Sequence, residues 1–249
     1  SMTAENAAKR FQEVSENDAT SQLWGLHDDD HMVGGMRLHD FKLNYFGTLI
    51  PAGGVGAVAV DLMHKKKGVA RDLINFFLDH YTGKGSYLGL LYPFRPDFYY
   101  RMGFGYGQKM NQYTFSPSSL PLSSTNHGLV CLTADDLPLL EEFYTGYTSR
   151  QHGYCLKSSW ELQTLFKGFS STNCLVGYKK NGKLLGYMAF AFRKAHETNF
   201  VKNNLVIREW LWDGPEALAA FCSFLHTQTD QINRVVYNTQ HSDFHFLLK

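Results

Sequence analysis

The sequence has almost no net charge. Its 24 Lys and Arg residues balance 23 Asp and Glu residues, for a formal charge of +1. Such a chain has no global attraction to a polyanion, which argues against nucleic acid as a partner and leaves room only for a local basic patch. Cysteine is scarce as well. The four residues Cys131, Cys155, Cys174 and Cys222 include no CxxC pair and none sits beside a histidine. That spacing argues against a disulfide framework and a thiolate zinc site and for four buried or free thiols, which fit a reducing cytoplasm. The stretch Ser1 to Phe11 lacks the apolar run of a signal peptide. Long hydrophobic runs are also missing, with one near exception: Leu43 to Val60 is 18 residues without a charge. Pro51 and the pair Gly53-Gly54 break a helix in its middle, so the run reads as two strands joined by a turn and not as a membrane span.

What remains has an ordinary globular composition, with 44% hydrophobic and 19% charged residues in a chain of 249. At roughly 150 residues per domain, that length allows one large domain or two small ones. Ala4 to Ser15 has helical composition. Leu23 to Leu26 and Met32 to Met36 flank the polar tip His27-Asp28-Asp29-Asp30-His31, a hairpin signal. Asp and His could ligate a metal there, but Asp is a common turn residue and the tip reads as a solvated turn, with no metal expected. Phe41 to Thr48 reads as the next strand. Val55 to Val60 is a short continuous apolar strand of the kind buried on both faces. A helix follows from Gly68 to about His80, with Val69, Leu73, Ile74, Phe77 and Tyr81 at helical spacing, and then a strand over Tyr87 to Tyr92. Strand, turn, helix and strand predict a parallel βαβ unit.

The segment Ser116 to Gly128, SPSSLPLSSTNHG, has linker composition. It divides the chain into residues 1–115, a linker over 116–128, and residues 129–249. The second part opens on a helix at Asp135 to Pro138, carrying Leu139, Leu140, Phe143 and Tyr147, with a further helix over Ser158 to Phe169. Cys174 to Tyr178 and Leu184 to Phe192 form a hairpin around Asn181-Gly182. Leu205 to Trp212 is a strand, Pro215 opens a helix to about Thr227, and Arg234 to Tyr237 is the last strand. Both parts run hairpin, strand, helix, strand, the order a duplication would leave.

The chemistry sits in Lys65-Lys66-Lys67-Gly68-Val69-Ala70, between a buried strand and a helix. A helix N-terminus presents free backbone N–H groups and positive potential, and Gly68 allows close approach to the backbone. Three cations at that end are unfavourable unless an anion joins them. Val58-Ala59-Val60 followed by Lys65-x-x-Gly68-x-Ala70 resembles the pyrophosphate loop of the GCN5-related N-acetyltransferase (GNAT) superfamily, whose pattern is Arg/Gln-x-x-Gly-x-Gly/Ala. Lys65 departs from it, keeping charge and losing planar bidentate geometry. Leu91-Tyr92-Pro93 and Phe98-Tyr99-Tyr100-Arg101-Met102-Gly103-Phe104-Gly105 resemble the aromatic signature of its enhanced intracellular survival (Eis-like) group, with Met102 in place of the usual aromatic.

The resemblance is specific over residues 53 to 109 and looser elsewhere. It implies an α/β (α+β) fold of two tandem GNAT-like domains, each a mixed, centrally parallel sheet flanked by helices, with the first strand and helix of the first domain missing. It implies an acetyl-CoA-dependent N-acetyltransferase acting on a primary amine, either an aminoglycoside-like small molecule or a lysine. Backbone groups of Val58, Ala59 and Val60 would hold the pantetheine and polarise the thioester. The loop Lys65, Lys66, Lys67, Gly68, Val69 and Ala70 would hold the pyrophosphate. Tyr99 aligns with the general acid, with Tyr100 its neighbouring competitor. In this group the base is thought to be a terminal carboxylate delivered from a sterol-carrier-like third domain, which this sequence lacks. The chain is therefore expected to be a piece of a longer enzyme, to use its terminal Lys249 carboxylate differently, or to rely on a water relay; the rival reading of another class is a non-catalytic acyl-CoA-binding or assembly module. The group is commonly oligomeric, often hexameric, so a homo-oligomer is expected. In the second part, Asp213-Gly214-Pro215-Glu216 stands where a pyrophosphate loop would be, with two carboxylates and no lysine. That part is expected to bind no coenzyme and to wall the acceptor pocket.

Overall fold

The computed structural model describes residues 4–123, 127–166, 173–195 and 202–249. They form two compact units, Ser1–Gly105 with Thr148–Trp160, and Tyr106–Tyr147 with Glu161–Lys249. Among the described residues no helix is long and apolar enough to cross a membrane. All four cysteines are free thiols.

The first unit begins with α1 (Ala4–Asn17), followed by β1 (Ser21–Asp28) and β2 (His31–Tyr45), which pair as an antiparallel hairpin. Its turn is Asp29-Asp30, with Asp29 at φ 51°. The strand expected from Phe41 is the second half of β2. The next reversal is at Phe46-Gly47, with φ of 48° and 86°, the double positive φ of a tight hairpin turn. Asn44 ties that turn down. Its Oδ1 accepts from Gly47 N–H at 2.8 Å, and its buried amide donates to the carbonyls of Thr148, Ser149 and Gln151.

From there β3 (Thr48–Val60) runs unbroken. The turn expected at Pro51 to Gly54 does not exist. Pro51 pairs with Lys42 of β2, and β3 acquires its other neighbour only from Gly53 onward, so the proline occupies an edge. The glycine pair serves packing. A Cβ on Gly53 would lie 2.3 Å from the Tyr81 ring, and one on Gly54 would lie 2.2 Å from Phe41. Nor is Val55 to Val60 buried on both faces: Ala57 and Ala59 are exposed.

The helix α2 (Val69–Gly83) buries the expected stripe Val69, Leu73, Ile74, Phe77 and Tyr81. It leads to β4 (Gly89–Leu91), parallel to β3 over Gly53 to Val55. That strand is shorter than expected, with Tyr87 and Tyr92 93% and 88% exposed. The two strands pair no further than Val55, just before a β-bulge that puts Ala57 at φ 50° and shifts the β2–β3 register. The short helix α3 (Pro96–Tyr100) follows.

The second unit opens with β5 (Asn111–Phe115), which pairs with the last strand of its sheet, so residues 106–115 belong to this unit and not to the first. The expected linker 116–128 is also largely structural, apart from Ser124 to Asn126, which lie outside the described residues. Pro117 and Leu120 are buried, and His226 Nδ1 lies 2.7 Å from the Leu120 carbonyl. A Pro/Ser-rich segment reads as a linker because its side chains are polar, yet two apolar anchors suffice to dock it. The elements β6 (Leu129–Cys131), α4 (Leu137–Thr148), α5 (Ser159–Phe166), β7 (Asn173–Lys180), β8 (Lys183–Lys194), β9 (Asn203–Trp212), α6 (Pro215–His226) and β10 (Ile232–Thr239) complete the chain. Residues 167–169 of the helix expected over Ser158 to Phe169 lie outside the described residues. The sheet order is β5-β10-β9-β8-β7-β6, with β9 and β10 parallel and every other pair antiparallel. Asn181 and Gly182 make the β7–β8 turn, with φ of 50° and 77°. The core gathers around Trp210, Phe221 and Phe244. Both units thus contain the expected series: an antiparallel pair, a helix, and a strand returning in parallel.

Candidate active site

The junction of β3 and α2 is built from local chemistry. β2 pairs with β3 to its end, Gly35 with Ala59 and Gly34 with Val60. On the other side no strand pairs with β3 beyond Val55 among the described residues, so the backbone of Val58, Ala59 and Val60 borders an open edge. The side chains of Val58 and Val60 pack toward the α2 core.

Beyond Val60 the chain makes a 3-10 turn, Leu62–His64, capped by Asp61. The Asp61 carboxylate accepts from Met63 N–H and from His64 Nδ1, both at 2.9 Å, and these hydrogen bonds hold it below the usual carboxylate range. Lys66 adopts φ 66° and Gly68 φ 94°, so the loop needs a residue without Cβ strain at its last position. Gly68 caps α2 with no side chain in the cap. Its carbonyl accepts from Arg71 and Asp72, while the N–H groups of Gly68, Val69 and Ala70 have no partner among the described residues. Lys65, Lys66 and Lys67 are exposed, and among the described residues no carboxylate lies within ion-pair distance of them.

These features fit a diphosphate-bearing coenzyme. Three unpaired N–H groups at a helix N-terminus form an anion cradle, the glycine leaves the approach clear, and three unpartnered ammonium groups supply the counter-charge.

Tyr99, on α3, turns inward and is 5% exposed, whereas Tyr100 is 62% exposed. Phe94, Phe98 and Phe104 stand edge-on around the Tyr99 ring, with centroids 5.9, 5.2 and 6.0 Å away. Burial among them pushes its phenol above the usual value. Tyr99 shares one apolar cluster with Val55, Val58 and Val60. Packing separates the two tyrosines, with Tyr99 inside and Tyr100 outside.

Two features escape a reading of the sequence. One is a cavity of about 550 Å³ lined by Leu23, Trp24, Met32, Met36, Ala57 and Asp61, with Phe11 of α1 at its border. The other is the meeting of His31 with Asp61 and His64. Its signal is the β2–β3 register: Gly34 opposite Val60 places His31 across from the 3-10 turn. Asp28, Asp29 and Asp30, beside His31 in sequence, take no part in it.

At the N-terminus of the second unit's helix α6 the chemistry differs. Pro215 lacks an N–H, and Glu216 accepts from Tyr178 Oη at 2.8 Å and Lys180 Nζ at 2.6 Å.

A parallel strand pair joined by a helix with a free, glycine-capped N-terminus, beside a strand that opens at a bulge, is the architecture of coenzyme-A-dependent acyltransferase domains. The comparisons agree. Residues 1–107 match a model described as an acetyltransferase (GNAT) domain, and residues 152–249 match a second model of the same description. The chain belongs to the GNAT superfamily and carries two of its domains in tandem. An uncharacterized N-acetyltransferase of Streptomyces avermitilis is 25% identical over 240 residues, covering 87% of this chain and 58% of the relative. The chain thus spans little more than half the length of that relative. A GCN5-related N-acetyltransferase from Anabaena variabilis matches 99% of the chain and 62% of its own at a TM-score of 0.84 and 20% identity. Eis1 from Mycobacterium abscessus matches 92% of the chain and 59% of its own at a TM-score of 0.72 and 17% identity. At such identities the structural likenesses establish the fold.

Proposed function

We propose that this chain holds the acyl-transfer site of an Eis-like N-acetyltransferase, which moves the acetyl group of acetyl-CoA to a primary amine. The observation that carries this reading is the β3–α2 junction: a left-handed Gly68, three unpaired N–H groups and an unpartnered lysine triplet beside an open strand edge. The N–H groups of Gly68, Val69 and Ala70 take the pyrophosphate, and Lys65, Lys66 and Lys67 offset its charge. The open edge of β3 takes the pantetheine, with backbone groups of Val58 to Val60 holding it and polarising the thioester carbonyl. Bound there, acetyl-CoA supplies an activated acyl group. The amine nitrogen bonds to the acyl carbon, the carbon–sulfur bond breaks, and Tyr99 gives its phenolic proton to the departing sulfur; the nitrogen sheds one proton to solvent, from which the Tyr99 phenolate recovers its own. A phenol held above its usual pKa keeps that proton at neutral pH.

The cavity beside Ala57 and Ala59 is the acceptor pocket in this reading. Leu23, Trp24, Met32 and Met36 line it with apolar surface, and Asp61 is its single carboxylate. That lining suits an amine on an apolar stem, as in a lysine side chain, better than a polyhydroxylated aminoglycoside. The second unit binds no coenzyme in this reading, because its helix α6 begins with Pro215, which has no N–H, and the Glu216 carboxylate adds negative charge at that end, where Lys180 is paired with it. The assembly is a homo-oligomer, as in the group it resembles, which light scattering would read directly.

Three proteins test the reading: the parent, Gly68→Glu and Tyr99→Phe. Acetyl-CoA at about 100 times its Kd adds about 2.7 kcal/mol of stability to the parent and to Tyr99→Phe, and none to Gly68→Glu. Tyr99→Phe loses about 10²–10⁴ in kcat on amine acceptors with coenzyme binding intact. Coenzyme stabilisation of Gly68→Glu equal to the parent's would refute the site. Unchanged turnover in Tyr99→Phe would refute the acid, and a parent that binds coenzyme yet acetylates no amine is a binding module.

A further inference from the structure

The start of β2 and the end of β3 bring together three metal-ligating side chains, of which the acyl-transfer reading uses only Asp61, at the edge of the acceptor pocket. His31 opens β2, Asp61 follows β3, and His64 closes the 3-10 turn. One donor atom from each lies within 4.8 Å of the other two. Asp61 Oδ1 and His64 Nδ1 are 2.9 Å apart, and the His31 and His64 rings are tilted together with centroids 5.9 Å apart.

Zinc-class ions bind nitrogen and oxygen at about 2.0–2.2 Å, which in a tetrahedral shell sets neighbouring ligand atoms about 3.3–3.6 Å apart. Asp61 and His64 are held at hydrogen-bond distance, 2.9 Å, and a small separation brings them to that spacing. His31 is exposed, so rotation of its side chain suffices to close the remainder. The backbone beneath them is fixed. Asp61 N–H donates to the Val33 carbonyl at 2.9 Å, which holds residue 61 against β2 two residues from His31. Met63 N–H orients the Asp61 carboxylate, as partners outside the ligand set do at metal centres.

We propose that His31, Asp61 and His64 form a site for one zinc-class divalent cation, with a coordination position left open to solvent. Two imidazoles and a carboxylate select first-row transition ions over magnesium and calcium, which prefer all-oxygen shells. Three protein ligands with an open position are the pattern of exchangeable zinc and not of a closed structural site. The ion joins β2 to the turn that feeds the Lys65–Gly68 loop, since His64 O accepts from Lys67 N–H. Occupancy therefore stiffens the strand-to-helix junction whether or not coenzyme is present. The proposal shares Asp61 with the acceptor pocket, but its evidence is the ligand geometry and its test reads metal binding without coenzyme or acceptor.

The test uses Co²⁺ as a spectroscopic probe on tag-free, chelator-treated protein. The expected result is one saturable Co²⁺ per chain, with visible bands stronger than those of the hydrated ion and displaced by one equivalent of Zn²⁺. His31→Ala, Asp61→Asn and His64→Ala each weaken Co²⁺ binding at least tenfold. His245→Ala, at an exposed histidine in the other unit, leaves it unchanged and so sets aside adventitious binding by the chain's 11 histidines. His31→Ala, at an exposed hairpin position, melts with the parent in chelator, which shows that the fold is intact. Saturating Zn²⁺ raises Tm in the parent and not in His31→Ala. Equal Co²⁺ affinity in the parent and the three variants, or a spectrum that remains that of the hydrated ion, would overturn the proposal.

Discussion

Asp18 shows how much one side chain can carry. It is 3% exposed and follows the C-terminal end of α1, where a carboxylate is unfavourable to the helix dipole. Burial alone would raise its pKa, but hydrogen bonds from Thr20, and then Ser21 and Arg37, draw it below the ordinary value of 3.8. Arg37 donates to Asp18 Oδ2 at 2.8 Å and to Ser21 Oγ at 2.9 Å. A carboxyl whose folded pKa is depressed contributes stability that is fully present above its unfolded pKa and is lost as pH falls through the folded one. Asp18→Asn should therefore cost about 1–3 kcal/mol at neutral pH, because Arg37 loses its charged partner. The difference between variant and parent should shrink as pH drops below 3.8. Urea unfolding at a series of pH values reads both, and a constant difference down to the lowest pH would contradict the assignment.

At the scale of elements, the packing of α2 on β3 depends on glycine in one place and tolerates its loss in another. Tyr81 lies flat on Gly53, and its hydroxyl is pinned by a 2.9 Å hydrogen bond to Asp40 Oδ1. Because of that bond and its burial, the ring cannot move aside cheaply. Gly53→Ala should destabilise the first unit by about 1–3 kcal/mol or more through overpacking. Gly83, at the other end of α2, has open space around its Cβ direction and no positive φ. Gly83→Ala should be neutral or stabilise by about 0.4–1 kcal/mol by restricting the unfolded chain. Tm should fall for Gly53→Ala and hold or rise for Gly83→Ala, and a fall in Tm for both would show that helix-end freedom is needed.

For the whole molecule, the decisive quantity is how many coenzymes one chain binds. Two helices occupy the same topological position, but α2 begins with three unpaired N–H groups and α6 begins with a proline and an internally bridged glutamate. Calorimetry with acetyl-CoA should give one site per chain, and Gly68→Glu should abolish it entirely. Residual binding in that variant would place a second coenzyme in the other unit. With a net charge of only +1, the pull on the anionic coenzyme is local to Lys65 to Lys67, so added salt should weaken binding.

What the sequence determined by itself is what depends on near neighbours. The buried stripe of α2 follows from helical period, the Asn181-Gly182 turn from two residues that tolerate positive φ, and the Lys65 to Ala70 loop from its place between an apolar strand and an amphipathic helix. Tertiary structure decided what depends on distant partners. Pro51 to Gly54 have turn chemistry, yet they lie inside β3, because Tyr81 and Phe41 require a bare backbone there. The segment over 116–123 has linker composition, yet Pro117 and Leu120 find a core to enter. Tyr99 and Tyr100 are chemically alike in sequence, and only the ring of Phe94, Phe98 and Phe104 separates them. His31 meets Asp61 and His64 through strand register, across 30 residues of chain that local propensity cannot span. Local rules set the elements and the loop, and long-range packing chose which side chains meet at the site.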